Sequence, residues 1–230
     1  TFKSFGTQEL LEVEFSDGRK VLATADHQWI VANSSRQGGT RIVPTTKLAG
    51  KRVPRVVAQR PERNEDFYEG VRHGFVFGDG TRNGGSRSAA YFHGSKDEAM
   101  LSYFTGHGNP PRTQRNGSIR IGGLPSRYKS LPDNENSASL WYGFVCGLFA
   151  ADGSVDTHGC PILTQKSQEV LEAVAAQLPR IGMIARPVRV QVRAASFPHH
   201  RGGPDYTYDS EICRMGLCRP FMSADDLLLP

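Results

Sequence analysis

Two aspartates, Asp79 and Asp152, each close a short stretch in which small residues recur at every fourth position. The first stretch reads Gly70-x-x-x-Gly74-x-x-x-Gly78-Asp79-Gly80, and the second Gly143-x-x-x-Gly147-x-x-x-Ala151-Asp152-Gly153. Apolar residues fill the gaps, with Val71, Phe75, Val76 and Phe77 in one and Phe144, Val145, Leu148 and Phe149 in the other. A four-residue step keeps the small positions in one lane on one helix face. A glycine inside a helix costs about 1 kcal/mol relative to alanine, so close packing has to return that loss. Two such lanes set face to face let helix axes approach nearer than the usual spacing of roughly 8–10 Å. If the helices run in parallel, both carboxylates emerge side by side at their C-terminal ends. There they repel one another and oppose the helix dipoles. A divalent cation held between them relieves both penalties, so the pattern suits metal-assisted chemistry. One Asp-Gly at a helix end is an ordinary stop signal. Two in matching register point to an internal duplication.

The elements around the two stretches repeat as well. After Asp79, Arg87–His93 alternates as a strand, and Ser95-x-x-Glu98 predicts a capping box opening a helix through Met100, Leu101 and Phe104. Ile119 and Ile121 then alternate against Ser118 and Arg120. After Asp152 the order recurs. Residues 162–165 read as a strand, and Ser167 caps a helix with apolar positions Val170, Leu171, Val174, Leu178 and Ile181, stopped by Gly182. Val188–Arg193 alternates cleanly, and a further strand follows around 206–215. Each half thus reads helix, strand, helix, strand, with room for one more strand.

The net charge of +5 and pI near 9.1 are modest, but the placement of charge is not. No acidic residue falls between Ala99 and Pro132, a stretch holding Arg112, Arg115, Arg120, Arg127 and Lys129. None falls between Ala173 and Pro204, a stretch holding Arg180, Arg186, Arg189, Arg193 and Arg201. Two basic tracts without acidic dilution favour a polyanion over a merely solvated surface. In Val188–Arg193 the valines share one strand face and Arg189, Gln191 and Arg193 the other. Such a face suits the major groove, where arginine pairs with guanine and glutamine with adenine; it also suits an ordinary exposed strand.

His73–Gly80 and Cys146–Gly153 resemble the two motifs of a LAGLIDADG homing endonuclease, the second closely. The first departs at Arg72, His73 and Phe77, where small or aliphatic residues are usual. The resemblance spans roughly residues 64–220. It implies an α+β, pseudo-two-fold duplicated fold, with the two motif helices at the centre and curved antiparallel sheets along DNA. Gly70, Gly74, Gly143 and Gly147 would form the helix interface. Asp79 and Asp152, beside Gly78 and Ala151, would hold Mg²⁺ or another divalent cation such as Mn²⁺ against the scissile phosphates. The implied reaction is a double-strand break in DNA across a minor groove, leaving short 3′ overhangs at a long asymmetric target. Basic residues serve near the phosphates in this family, and Lys129 and Lys166 are the candidates here. Arg87, Arg112, Arg115, Arg120, Arg127, Arg186, Arg189, Gln191 and Arg193 are the candidate DNA contacts. With both motifs in one chain, a monomer is expected.

The first sixty residues differ in character. Residues 11–24 read as a hairpin turning at Asp17-Gly18, running into Thr24-x-x-His27. That block resembles the Thr-x-x-His of the Hint fold that carries out protein splicing in inteins, here as a small all-β fragment. A nucleophilic Cys or Ser at the start and a His-Asn pair at the end are both lacking, so splicing would need parts outside this chain. Expected boundaries are 1–60 for the Hint-like region with its basic linker, 61–222 for the endonuclease domain with repeats about 64–132 and 137–220, and 223–230 for a tail. The start shows neither an initiator methionine nor a signal peptide, which predicts a fragment or processed piece. The expected location, with the endonuclease resemblance, is cytoplasmic, associated with nucleoid or phage DNA. No apolar run is long enough for a membrane span. The four cysteines lack zinc-site spacing and read as reduced, mostly buried thiols, and His199-His200 as loop residues. The alternatives are a DNA-binding regulator without catalysis, a splicing element, and an RNA maturase, a role the LAGLIDADG fold also serves.

Overall fold

The structure, a computed structural model, describes residues 6–16, 18–32, 40–54, 59–82, 84–157, 159–197 and 206–217, and only the main chain at 95, 96, 193–197 and 206–208. Asp17, His199-His200, Arg201, Cys218, the tail and the Arg193 side chain therefore lie outside the described residues. The chain divides into two units, residues 1–56 and 57–230.

In the first unit, β1 (Leu10–Glu14) pairs antiparallel with β2 (Lys20–Thr24), and β3 (Gln28–Ala32) with β4 (Thr40–Pro44). Gly18 takes φ +82° in the first turn, a region that favours glycine. Val31, Val43 and Leu48 form a small core, with Val13, Trp29 and Val53 packed on it. The Trp29 indole donates to Thr45 Oγ1 at 2.9 Å.

In the second unit the first half runs α1 (Glu65–Asp79), β5 (Gly80–Arg82), β6 (Arg87–Phe92), α2 (Gly94–Glu98), β7 (Arg112–Thr113) and β8 (Ile119–Pro125). The second half runs α3 (Ala138–Asp152), β9 (Gly153–Val155), β10 (Pro161–Gln165), α4 (Gln168–Gln177), β11 (Arg189–Phe197) and β12 (Tyr206–Gly216). Both four-stranded antiparallel sheets have one order, β5-β6-β8-β7 and β9-β10-β12-β11. The strands beyond those read from the sequence are the short ones directly after each aspartate and, in the first half, also the two-residue β7.

Asn64 and Ser137 cap the motif helices, accepting from the amides of Phe67 and Leu140 at 3.2 Å each. The helices then meet main chain to main chain. A β-carbon at Gly70 would overlap the Leu140 carbonyl oxygen, and one at Gly74 that of Phe144. Reciprocally, Gly143 and Gly147 lie against the carbonyl oxygens of Phe67 and Val71. Each half offers the other the same atoms. The core continues from this seam through Phe75, Phe92 and Ile121 on one side and Leu163, Leu171 and Met215 on the other.

One local expectation is corrected, and one strand face proves open. The short helix opens at Gly94 rather than at a Ser95 cap, because the buried Asp97 carboxylate accepts from the His93 amide at 2.7 Å and fixes the turn. The valine face of residues 188–193 is not buried: Val190 and Val192 are 49% and 64% exposed. Strand β11 is the sheet edge, and α4 packs on β10 and β12 instead. Of the cysteines, Cys146 and Cys213 are buried, Cys160 is half-buried, and all three are free thiols.

Candidate functional site

Asp79 and Asp152 are the last residues of α1 and α3, and both are half-buried. Gly78 is what lets Asp152 approach the end of α1. A β-carbon there would stand 2.5 Å from both the Asp152 Oδ2 and the Ala151 β-carbon. The Asp152 carboxylate therefore lies against the main chain one residue before Asp79. Neither helix carries a basic residue in its last turn, so the negative charge at this end must be met from elsewhere.

Lys129 meets it. The turn Ser126–Lys129, a short 3-10 segment after β8, brings its ammonium to the end of α1, where Nζ donates to the carbonyls of Val76 at 3.1 Å and Phe77 at 2.5 Å. Burial pushes the Lys129 pKa down, while the charges of Asp152 and Asp79 oppose that shift and Arg82 adds to it. In the second half, Gln165 at the end of β10 donates from Nε2 to Asp152 Oδ2 at 2.6 Å. The strand registers make Phe92 the equivalent of Gln165 in the first half, since Leu163 faces Gly153 as Ala90 faces Gly80, and Phe92 stacks on Phe75 in the core. Lys166, the other candidate base, is exposed just past β10.

The cation that the acidic pair suggested from sequence can be tested against these donors. Two carboxylates at paired helix ends are hard oxygen ligands, and no group of three or more His, Cys, Asp or Glu occurs among the described residues. That set fits an ion such as Mg²⁺, which binds through one or two carboxylates and takes its remaining ligands from water and phosphate.

Away from the helices, both sheets carry the same arginine arrangement. In the first, Arg120 stands opposite Tyr91 on one side and Arg112 on the other. In the second, Arg214 stands opposite Thr164 and Arg189. Directly opposed residues share a face, so each sheet presents an arginine–arginine pair at one equivalent register. Their hydrogen-bond partners are neutral: Arg120 Nε donates to Tyr91 Oη at 3.2 Å and Arg214 Nη1 to Gln191 Oε1 at 3.4 Å. None of the four forms an ion pair with a described carboxylate.

The other candidates are dispersed. Arg87 Nη1 donates to the Gly123 carbonyl at 3.0 Å, and Arg115 and Arg186 are exposed in connecting segments. Arg127 is tied to Glu69 of α1 at 2.6 Å. In the first unit the His27 amide donates to the Thr24 carbonyl at 3.1 Å, closing a turn, and the His27 ring lies edge-on to Trp29. Sequence reasoning missed Gln165, Arg82 and Arg214 as site residues. Gln165 had left a signal: its parity with the buried Leu163 puts a polar group on the helix-facing side of β10. Arg214 had one too, as a cation alternating with the buried Cys213 and Met215.

Residues 142–203 match the model of a LAGLIDADG-like domain. The match lies in the second half, from within α3 onward. Among solved structures, the chain is similar to the N-terminal LAGLIDADG domain of WhiA, at 13% identity and a TM-score of 0.42, covering 72% of this chain and 79% of that one. It is similar to mesophilic variants of the homing endonuclease I-DmoI, at 13% identity and a TM-score of 0.43, covering 71% and 96%. I-DmoI in complex with DNA and Ca gives 12%, 0.40, 67% and 84%. No curated protein sequence matches the chain significantly.

Proposed function

We propose that residues 57–230 are a metal-dependent DNA endonuclease of the LAGLIDADG type, a duplicated fold that acts on duplex DNA inside the cell as one chain. The observation that carries this reading is the matched pair of arginine pairs. Like charges directly opposite on a sheet are unfavourable, and two such pairs at one register are relieved by a partner with regularly spaced negative charge. Phosphates of a duplex laid across both sheets meet that requirement, and the acidic pair sits between the sheets at the paired helix ends. Arg112, Arg120, Arg189 and Arg214 bind and orient the backbone, and Gln191 is placed to read base edges.

At the cut, Asp79 and Asp152 hold Mg²⁺ or Mn²⁺. When bound, the ion lowers the pKa of a water nucleophile and stabilises charge on the attacking and leaving oxygens. Lys129 contributes a fixed positive charge beside the scissile phosphate, and Gln165 holds the Asp152 carboxylate in orientation. The first unit, around Thr24 and His27, is in this reading part of the splicing domain of the intein within which the nuclease is encoded.

Sequencing the ends cut from a randomised duplex library in Mg²⁺ identifies the target. Asp152→Asn should then lose cleavage by at least about 100-fold while retaining specific binding. Unimpaired double-strand cleavage by that variant refutes the assigned role. Specific binding by the parent protein without any nicking selects the non-cleaving regulator instead.

A further inference from the structure

The first motif helix carries polar residues where its partner is apolar. Glu69, Arg72 and His73 of α1 match Tyr142, Val145 and Cys146 of α3 when the two motifs are aligned on their aspartates. Burying such groups is unfavourable unless each finds a partner. Their partners are specific. Glu69 Oε1 accepts from Arg127 Nη2 at 2.6 Å, and its Oε2 accepts from Tyr128 Oη at 2.8 Å and from Arg72 Nη2 at 3.0 Å. His73 Nε2 lies 2.8 Å from the Ser130 carbonyl, and its ring stacks on Tyr128 with centroids 5.0 Å apart. Arg72 Nη1 donates to the Tyr103 carbonyl at 3.2 Å, fixing the guanidinium from its far side. Positions 69, 73 and 76–77 climb one face of α1 turn by turn, and they hold Arg127–Tyr128, Ser130 and Lys129 in that order.

We propose that the turn Ser126–Lys129 is a latch, clamped on α1 by Glu69 and His73, whose task is to position the Lys129 ammonium at the acidic pair. This rests on the nuclease reading for the use to which Lys129 is put, but the clamping itself does not. Lysine is a flexible side chain with four rotatable carbons, and a free one would spend little time at a single point. Clamped as it is, Lys129 also carries its positive charge to a helix end that has none of its own. Glu69, Tyr128 and His73 are thus positioning residues, acting through Lys129. The departures of the first motif from the small and aliphatic pattern have a purpose on this account. They are the hooks for the turn. The second motif helix carries no charged residue at these positions, and its carboxylate is held by Gln165.

Glu69→Ala would strip the counter-ion from two arginines, so the test uses Tyr128→Phe and Glu69→Gln, which keep the volume. In metal-free protein, competitive acetylation with acetic anhydride, read by mass spectrometry, measures Lys129 against the exposed Lys51. Labelling of Lys129 should rise about fivefold in Tyr128→Phe, the population shift that loss of one ordinary hydrogen bond allows. Glu69→Gln, which keeps an acceptor for Tyr128, should rise less. On the selected DNA target, turnover should fall about tenfold with DNA affinity within about twofold, and adding Lys129→Met to Tyr128→Phe should cost little beyond Lys129→Met alone. Unchanged Lys129 labelling in a folded Tyr128→Phe overturns the latch and leaves the nuclease reading intact. Released Lys129 in a protein whose parent form binds duplex but nicks none of the library overturns the nuclease reading and leaves the latch.

Discussion

Helix α1 holds Arg72 and His73 in buried positions, with Glu69 beside them, while α3 at the matching places holds Val145, Cys146 and Tyr142 and is buried along most of its length. The two helices nonetheless present identical lanes to each other. Gly70 and Gly74 receive the carbonyls of Leu140 and Phe144 as Gly143 and Gly147 receive those of Phe67 and Val71. The halves agree wherever main-chain atoms touch and wherever charge must stand at a fixed register. They differ on the outward faces, where a side chain can be exchanged without moving a helix. The sheets show the same division. Strand β7 has 2 residues and β11 has 9, yet both place an arginine opposite the equivalent residue of the neighbouring strand.

The sharpest way to break this comparison is at the glycines. Gly74→Ala and Gly147→Ala each put a methyl group onto a main-chain carbonyl that no rotamer can move. Each should lose about 3 kcal/mol in urea denaturation, with the helix-propensity gain of about 1 kcal/mol already set against a larger overpacking cost. The two losses should agree within about 0.5 kcal/mol if the contacts are reciprocal in energy as they are in geometry. A marked inequality means that one half carries the seam.

The carboxylates test the opposite point, since their surroundings differ. Gln165 supports Asp152, whereas the equivalent strand position in the first half is Phe92, which has no hydrogen-bonding group to offer. Gln165→Leu should slow the cut governed by Asp152 about tenfold and leave the other nearly unchanged, so that nicked duplex accumulates. Equal slowing of both strands would mean that the two carboxylates act as one unit, and the halves would then be catalytically inseparable.

Much of this was legible before any coordinates. Small residues at every fourth position followed by aspartate fixed the helix pair, because few other packings return the cost of so many glycines. The matching order of strands followed from alternation. The strands Gly80–Arg82 and Gly153–Val155 were not legible, being too short for any period to show. Lys129 was legible only as a member of a basic tract and as a basic residue of the kind the resemblance calls for; what places it is the hydrogen bonding of Glu69 and His73 to a segment over fifty residues later in the chain. The exposure of Val190 and Val192 was not legible either, because alternation reports that a strand has two faces, not whether either is covered. Arg127, bound to Glu69, shows a related point. A basic tract records charge density, and a neighbouring carboxylate on another element can claim one of its members.

The smallest expected effect concerns the arginine pairs, and it separates cost from use. Replacing Arg214 or Arg120 by alanine removes one member of a like-charged pair, so the free protein should be unchanged or stabilised by a few tenths of a kcal/mol. Binding to duplex should weaken in both variants, and the slope of log affinity against log salt should shrink by about 1 in each. Because Arg214 hydrogen-bonds to Gln191, its loss should also relax sequence preference at the contacted base, an effect Arg120→Ala should lack. If both variants instead lose stability and keep their salt slope, the pairs are structural and the sheets do not face a phosphate backbone.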